Sequence, residues 1–362
     1  MSDHPLPAYP LPGQPVVELH RHLDGNVRLG TVLDLARIHG LELPAWTPEE
    51  LRPHVQMTGA GPDLLAFLAK FELLRHVMVD YDAIGRIARE NLEDAAADGI
   101  DHIELRFSPY FMAERYGLDP FTVAEVVCDA VAAAQRAVPV SARLIGIISR
   151  TYGPENGWIE VEAAVRCRDR GVVALDLAGD EANYPGELFV HHFRRARDAG
   201  LRTIAHAGEA AGAASVRQAV EELGAERVGH GIRALEDPAV LDLLAERGVA
   251  LEVCPTSNVQ TSTVASYREH PLAAFLDRGL LATLNTDDPS ISGIDLPHEY
   301  RVAREEMGLG PELLARLQAN ALAAAFLDDD ERAALTHRAA GRARSAPPEP
   351  VTAPPPAPGG PR

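Results

Sequence analysis

Short apolar runs alternate with longer amphipathic stretches along most of this chain. The first run, Pro15-Val16-Val17-Glu18-Leu19, reads as a short buried strand. A largely helical insertion over residues 31–97 follows it. Within that insertion Leu64, Leu68, Phe71, Leu74 and Met78 recur at spacings of three and four, which predicts an amphipathic helix, with Pro62 and Asp63 where it would begin. Two roles fit it: a helix packed on the wall of the fold, or a lid whose Phe67 and Phe71 cover a pocket. Seven more strand-like runs come next, at residues 102–107, 144–148, 172–177, 202–206, 227–230, 250–254 and 281–285, with helical stretches such as 121–136, 187–199, 213–223 and 238–247 between them. Eight strands, each followed by helix, predict a parallel sheet with helices outside, which closes most naturally as a (β/α)8 TIM barrel. A doubly wound open sheet is the alternative, but no G-x-G-x-x-G follows the first strand.

The two ends break the pattern. Residues 1–14 are Pro-rich and aperiodic and read as a flexible arm; residues 345–362 are Pro, Ala and Gly with little apolar bulk and read as a disordered tail. No long linker or repeat interrupts residues 15–344, which are expected to form one domain. The 362-residue chain is 46% hydrophobic, enough for a sizeable core. Its formal net charge of −19 disfavours nucleic acid and suits a small uncharged molecule as partner. No apolar run approaches the ~18 residues that span a bilayer, and the N-terminus lacks a signal pattern. Three cysteines without C-x-x-C spacing point to a reducing cytoplasm.

Candidate chemistry sits where the strands end. The first runs into His20-Arg21-His22-Leu23-Asp24-Gly25. Side chains alternate along a strand, so His20 and His22 share a face and Arg21 points away. Later strands end in Gly179-Asp180-Glu181, His206-Ala207-Gly208-Glu209, Gly229-His230-Gly231, Cys254-Pro255-Thr256-Ser257-Asn258 and Asn285-Thr286-Asp287-Asp288-Pro289. In a barrel the C-terminal strand ends form the active rim. Three imidazoles, His20, His22 and His206, with the carboxylate of Asp287 make a nitrogen-rich set suited to one zinc ion. Glu209, three residues past a ligand, is placed for general acid–base work. Asp288 can accept a hydrogen bond from water or substrate, and the glycines beside His230 allow close approach. Simpler roles stand beside these: Asp180 and Asp288 as helix caps, His230 as a core histidine, Cys254 as apolar filler, and His191, His192 and His298 as structural or surface groups.

From about Val16 to Leu335 these motifs, in this order, resemble the adenosine deaminases, the bacterial enzymes above all. The resemblance implies a zinc-dependent barrel of the amidohydrolase type. Its members convert adenosine and 2′-deoxyadenosine to inosine and 2′-deoxyinosine with release of ammonia, a purine-salvage reaction. By resemblance His20, His22, His206 and Asp287 bind the metal, and Glu209 protonates the ring nitrogen beside the attacked carbon. His230 orients the attacking hydroxide. His22, Asp24, Gly179 and Asp288 contact the substrate, Asp24 through a sugar hydroxyl and Gly179 through its backbone N–H to the purine. The H-x-E and P-C-x-x-C signature of other zinc nucleobase deaminases is absent. Two rivals remain: a deaminase of adenine or a modified adenosine-like nucleoside, and a catalytically silent binding protein on the same scaffold. Related adenine deaminases tend to carry Glu where Asp24 stands, and every ligand and the acid are present. Oligomeric state is left open.

Overall fold

Eight strands pair parallel in strict sequence order: β1 (Val17–His22), β2 (His102–Phe107), β3 (Ser141–Ser149), β4 (Val172–Ala178), β5 (Arg202–Ala207), β6 (Arg227–His230), β7 (Ala250–Val253) and β8 (Ala282–Leu284). The ring closes just past β8, where the His22 N–H donates to the Asp287 carbonyl at 2.8 Å and the Asp287 N–H to the His20 carbonyl at 2.9 Å. An unbroken order of this kind is a (β/α)8 barrel, and it has no switch point of a doubly wound sheet. The structure is a computed structural model that describes Tyr9 and residues 13–345. The expectations for the Pro-rich arm, Tyr9, Gly13 and Gln14 apart, and for the tail past Ser345 lie outside the described residues. Among the described residues no helix is long and apolar enough to cross a membrane.

The strands form because their apolar residues are buried on both faces, as parallel strands between helices require. The sequence placed each run correctly, with ends displaced by a few residues at most. The insertion after β1 is helical as expected: α1 (Leu29–His39), α2 (Pro48–Val55), α3 (Leu64–Leu68), α4 (Phe71–Arg75) and α5 (Tyr81–Ala97). The single amphipathic helix expected from Leu64 to Met78 is instead two short helices. Asp63 caps α3 by accepting from the Ala66 N–H at 2.9 Å. The turn then tightens, with the Lys70 N–H donating to the Phe67 carbonyl at 3.0 Å, before α4 begins. The break lets the one apolar stripe serve two surfaces. Phe67 and Phe71 turn toward a cavity at the barrel mouth, while Leu74 and Met78 stay in the core. The wall and lid readings therefore each hold for part of the stripe.

Inside the barrel, the floor is apolar. Ile145, Ala174 and Ile204 meet Phe326, from the segment after the helix Pro311–Ala324. The middle is not apolar. Glu104, Arg106, Asp176, Arg227 and Glu252, one or two from each of four strands, fill it with five fully or almost fully buried charges. Arg227 pairs with Glu104 and Glu252 at 2.6 Å each, and Arg106 with Glu252 at 2.6 Å and Asp176 at 2.7 Å. Burial alone would raise the carboxyls, but the guanidiniums outweigh it and bring Glu104 down to about 2 and hold Glu252 lower still.

Phe326 is the lid on this network from below, its ring 3.8 Å from the Arg227 guanidinium carbon. Phe326→Ala is expected to cost about 3 kcal/mol, as buried Phe-to-Ala changes do. Urea unfolding checks this; an unchanged midpoint contradicts the role given to the ring.

Candidate active site

At the C-terminal ends of the strands, imidazole nitrogens of His20, His22 and His206 and a carboxylate oxygen of Asp287 all lie within 4.8 Å of one another, and all four residues are buried. Asp287 Oδ1 is 3.1 Å from His20 Nε2 and 3.3 Å from His22 Nε2; the Nε2 atoms of His22 and His206 are 3.3 Å apart. Strand alternation puts His20 and His22 on this face, and Arg21 points the other way to Glu18 and Asp98, each at 2.7 Å. Asp287 reaches the group through backbone at φ +66°, and His230 sits at φ +59°. Both are in the left-handed region that a side chain disfavours.

The second nitrogens of two of these rings are already committed. His20 Nδ1 meets Glu252 Oε2 at 2.9 Å, and His206 Nδ1 meets Asp176 at 3.1 Å. Ionised carboxylates only accept, so both rings carry the proton on Nδ1 and present bare Nε2 atoms to the centre. His20 Nε2 is fully buried and has no hydrogen-bond partner. Burial drives the His206 pKa down to about 3, leaving the ring neutral, and the imidazoles around Asp287 outweigh its burial and hold its carboxyl well below the usual carboxylate range. Neutral imidazoles and an ionised carboxylate are what a metal site requires. The donor set fits a metal cation.

Glu209 faces this group, with its Oε1 3.6 Å from His230 Nε2. Burial, then the charges of Asp287 and Glu181, push its pKa up to about 8, so it is a protonated acid at neutral pH. Asp288 is raised well above the usual range by burial and by Asp287 and Asp24. Its Oδ1 and that of Asp24 are buried without a partner. Gly25 is required here, because a Cβ on it would stand 1.6 Å from Asp288 Oδ1. Gly179, at φ +105°, leaves room beside Thr151 in the same way. His22, Asp24, Gly179, His206, Glu209, His230, Asp287 and Asp288 line one cavity of about 350 Å³, roofed by Leu64, Phe67, Phe71 and Phe111. An apolar roof over a polar floor suits a flat, partly polar small molecule.

The structure thus brings every expected site residue to one place. It also shows supporting residues that sequence reasoning missed. Glu181 accepts backbone N–H groups of Gly208, Glu209, Ala210 and Ala211 at 2.7–3.1 Å, so it holds the turn that carries Glu209. Asn258 and His270 form a relay. The Leu272 N–H donates to His270 Nδ1 at 3.2 Å, which leaves Nε2–H to donate to Asn258 Oδ1 at 3.2 Å. The Asn258 amide then donates to His230 Nδ1 at 2.9 Å, leaving the His230 proton on Nε2, toward Glu209. Glu181 and Asn258 lie in the strand-end motifs, but nothing in the sequence gave them partners. Cys254 is buried, as expected of a filler, and His192 stacks on Trp158, outside the cavity.

A barrel mouth that gathers a buried metal-ligand group and a protonated carboxylic acid under an apolar roof belongs to the metal-dependent hydrolase class. The comparisons with known proteins narrow this. The family model described as adenosine deaminase matches residues 15–341. An adenosine deaminase of Serratia proteamaculans (strain 568) is 52% identical over 327 residues, covering 90% of this chain and 98% of that protein. Among solved structures, an adenine deaminase from Arthrobacter aurescens superposes with a TM-score of 0.84 at 31% identity, over 92% of this chain and all of that one. A cog1816 amidohydrolase from Burkhoderia ambifaria, with bound Zn, gives 0.81 at 29% identity, over 92% and 91%. The chain belongs to the adenosine deaminase family.

In ¹⁵N-labelled protein the His230 ring is expected to be protonated on Nε2 alone, and Asn258→Leu to turn it into a tautomer mixture. A wild-type ring protonated on Nδ1 contradicts the relay.

Proposed function

We propose that this protein is a zinc enzyme that hydrolyses the 6-amino group of adenosine and 2′-deoxyadenosine, giving inosine and 2′-deoxyinosine plus ammonia. The observation that carries this is the buried Glu209 facing a group of four metal-competent residues inside one roofed cavity. His20, His22, His206 and Asp287 hold one ion. The nitrogen-rich set favours zinc, and the Burkhoderia ambifaria structure carries that metal. A zinc ion so held supplies Lewis acidity and lowers the pKa of a water to near neutrality.

The chain's own residues do the rest. Purine C6 is a poor electrophile until N1 is protonated, and Glu209 supplies that proton. His230, its proton fixed on Nε2, donates a hydrogen bond to the incoming oxygen and orients it. Asp288 holds the water and the purine, and Gly179 offers its backbone N–H to the ring. Water's oxygen adds to C6; one of its protons goes to the amino group, which leaves as ammonia, the other restores Glu209, and the proton Glu209 gave stays on N1 of the product. The raised pKa of Glu209 matches a donor that must be protonated near pH 7 and must also give the proton up. The strained backbone at His230 and Asp287 fits a site whose geometry is held by the surrounding barrel. Buried free thiols at Cys128, Cys167 and Cys254 support a cytoplasmic setting.

A second reading, deamination of free adenine, draws on the Arthrobacter aurescens relative. Asp24 argues for the nucleoside. One of its oxygens accepts the Ser108 N–H at 3.2 Å; the other, 3.8 Å from His22 Nδ1, is buried at the cavity without a hydrogen bond, as an acceptor for a sugar hydroxyl would be.

Direct measurement of released ammonia is the test. Adenosine is expected to release ammonia faster than adenine does, and treatment with a chelator to abolish the release; faster adenine turnover reverses the substrate assignment. Glu209→Gln should keep metal and nucleoside binding but lose turnover by about 10²–10⁴-fold or more. Near-normal turnover in that variant removes Glu209 from the proton step. His206→Ala should lose the metal itself, which elemental analysis reads directly.

A further inference from the structure

The buried charges in the middle of the barrel are not explained by the reaction, and one of them is placed unlike the rest. Arg106, on β2, is fully buried. Its Nη1 donates to Asp176 Oδ2 at 2.7 Å; its Nη2 donates to Glu252 Oε2 at 2.6 Å and to the Leu19 carbonyl at 2.7 Å. Those two carboxylates are the ones that hold His206 and His20 by Nδ1. A single planar guanidinium therefore fixes the partners of two of the three histidines, and its third bond ties it to the backbone one residue before His20. Arg227 offers the contrast. It takes Glu252 by the other oxygen, Oε1, and Glu104 beyond it, and has no bond to Asp176.

We infer that Arg106 is a positioning residue for the metal: it sets the orientation of His20 and His206, and so the affinity of the site, without touching the ion. Removing it leaves Asp176 and Glu252 with no shared cation. The two carboxylates then repel one another across the barrel and are free to rotate off the imidazoles. Lysine cannot replace it fully, because one ammonium lacks the fork that reaches both carboxylates at once. The role extends the metal-centre reading given above and rests on it.

The test uses the full-length protein as wild type, R106M, R106K and R227M, each stripped with a chelator and titrated with Zn²⁺ against a chromophoric competitor. The visible spectrum of the Co²⁺-loaded form is recorded in parallel, because it reports ligand geometry independently of turnover. Partners that orient metal ligands are typically worth 10–100-fold in affinity, so R106M should bind Zn²⁺ about tenfold more weakly or worse, with a shifted Co²⁺ spectrum. R106K should fall between it and wild type, and R227M should stay close to wild type in both readouts although it removes the same charge from the same core. Wild-type affinity and spectrum in folded R106M overturn the inference. So does an R227M that loses as much as R106M, since the effect is then one of lost buried charge. If R106M does not fold, R106K stands in for it, and wild-type behaviour in R106K overturns the inference. A wild-type protein that takes up no ion contradicts the metal centre itself, and this inference with it.

Discussion

A bare imidazole nitrogen sealed from water, with a carboxylate oxygen and two more imidazoles beside it, is the constraint on which this structure depends. His20 Nε2 can accept but has nothing to accept from, and the Nε2 atoms of His22 and His206 stand 3.3 Å apart. Leaving such groups dry and unpaired is costly. A cation at their centre satisfies all of them. The charges below point the same way: three carboxylates, Glu104, Asp176 and Glu252, face two guanidiniums, Arg106 and Arg227. The barrel interior is left net negative beneath a site that Asp287 makes more negative still.

The barrel turns that requirement into geometry. Its closing hydrogen bonds run between β1 and the chain just past β8, through the backbones of His20, His22 and Asp287. Sealing the barrel and setting the ligands are therefore one event. Glu181 and the Asn258–His270 relay do the same for Glu209 and His230 from other strands. Glu209 and His230, which act on substrate in the proposed reaction, are each held by a group that does not, which is how an active site keeps its orientation without a substrate present. The mouth is built differently. The short helices α3 and α4 carry Phe67 and Phe71 over the cavity on a tightened turn, while the polar floor rests on the strands.

Much of this was legible in the sequence, and the limits have physical reasons. Strand runs such as 144–148 and 172–177 stand out because parallel strands are apolar on both faces, and the site residues stand out because they fall where such runs stop. Alternation alone put His20 and His22 on one face. The spacing predicts one helix from Leu64 to Met78 because intervals of three and four persist across a break that tightens by one hydrogen bond. Arg106, Arg227, Glu104, Asp176 and Glu252 read in the sequence only as parts of their strands. A charge in the middle of an apolar run was their signal, but which charge meets which is set by barrel closure, between residues up to 146 apart along the chain. The Asn258 relay was hidden for the same reason: its direction depends on tautomers that only the assembled partners fix.

The most direct measurement is X-ray absorption at the zinc edge of the zinc-loaded protein. The account predicts a first shell of three imidazole nitrogens and oxygen at about 2.0–2.2 Å, with no sulfur. A shell containing sulfur at about 2.3 Å, or one with fewer than three imidazoles, would contradict it.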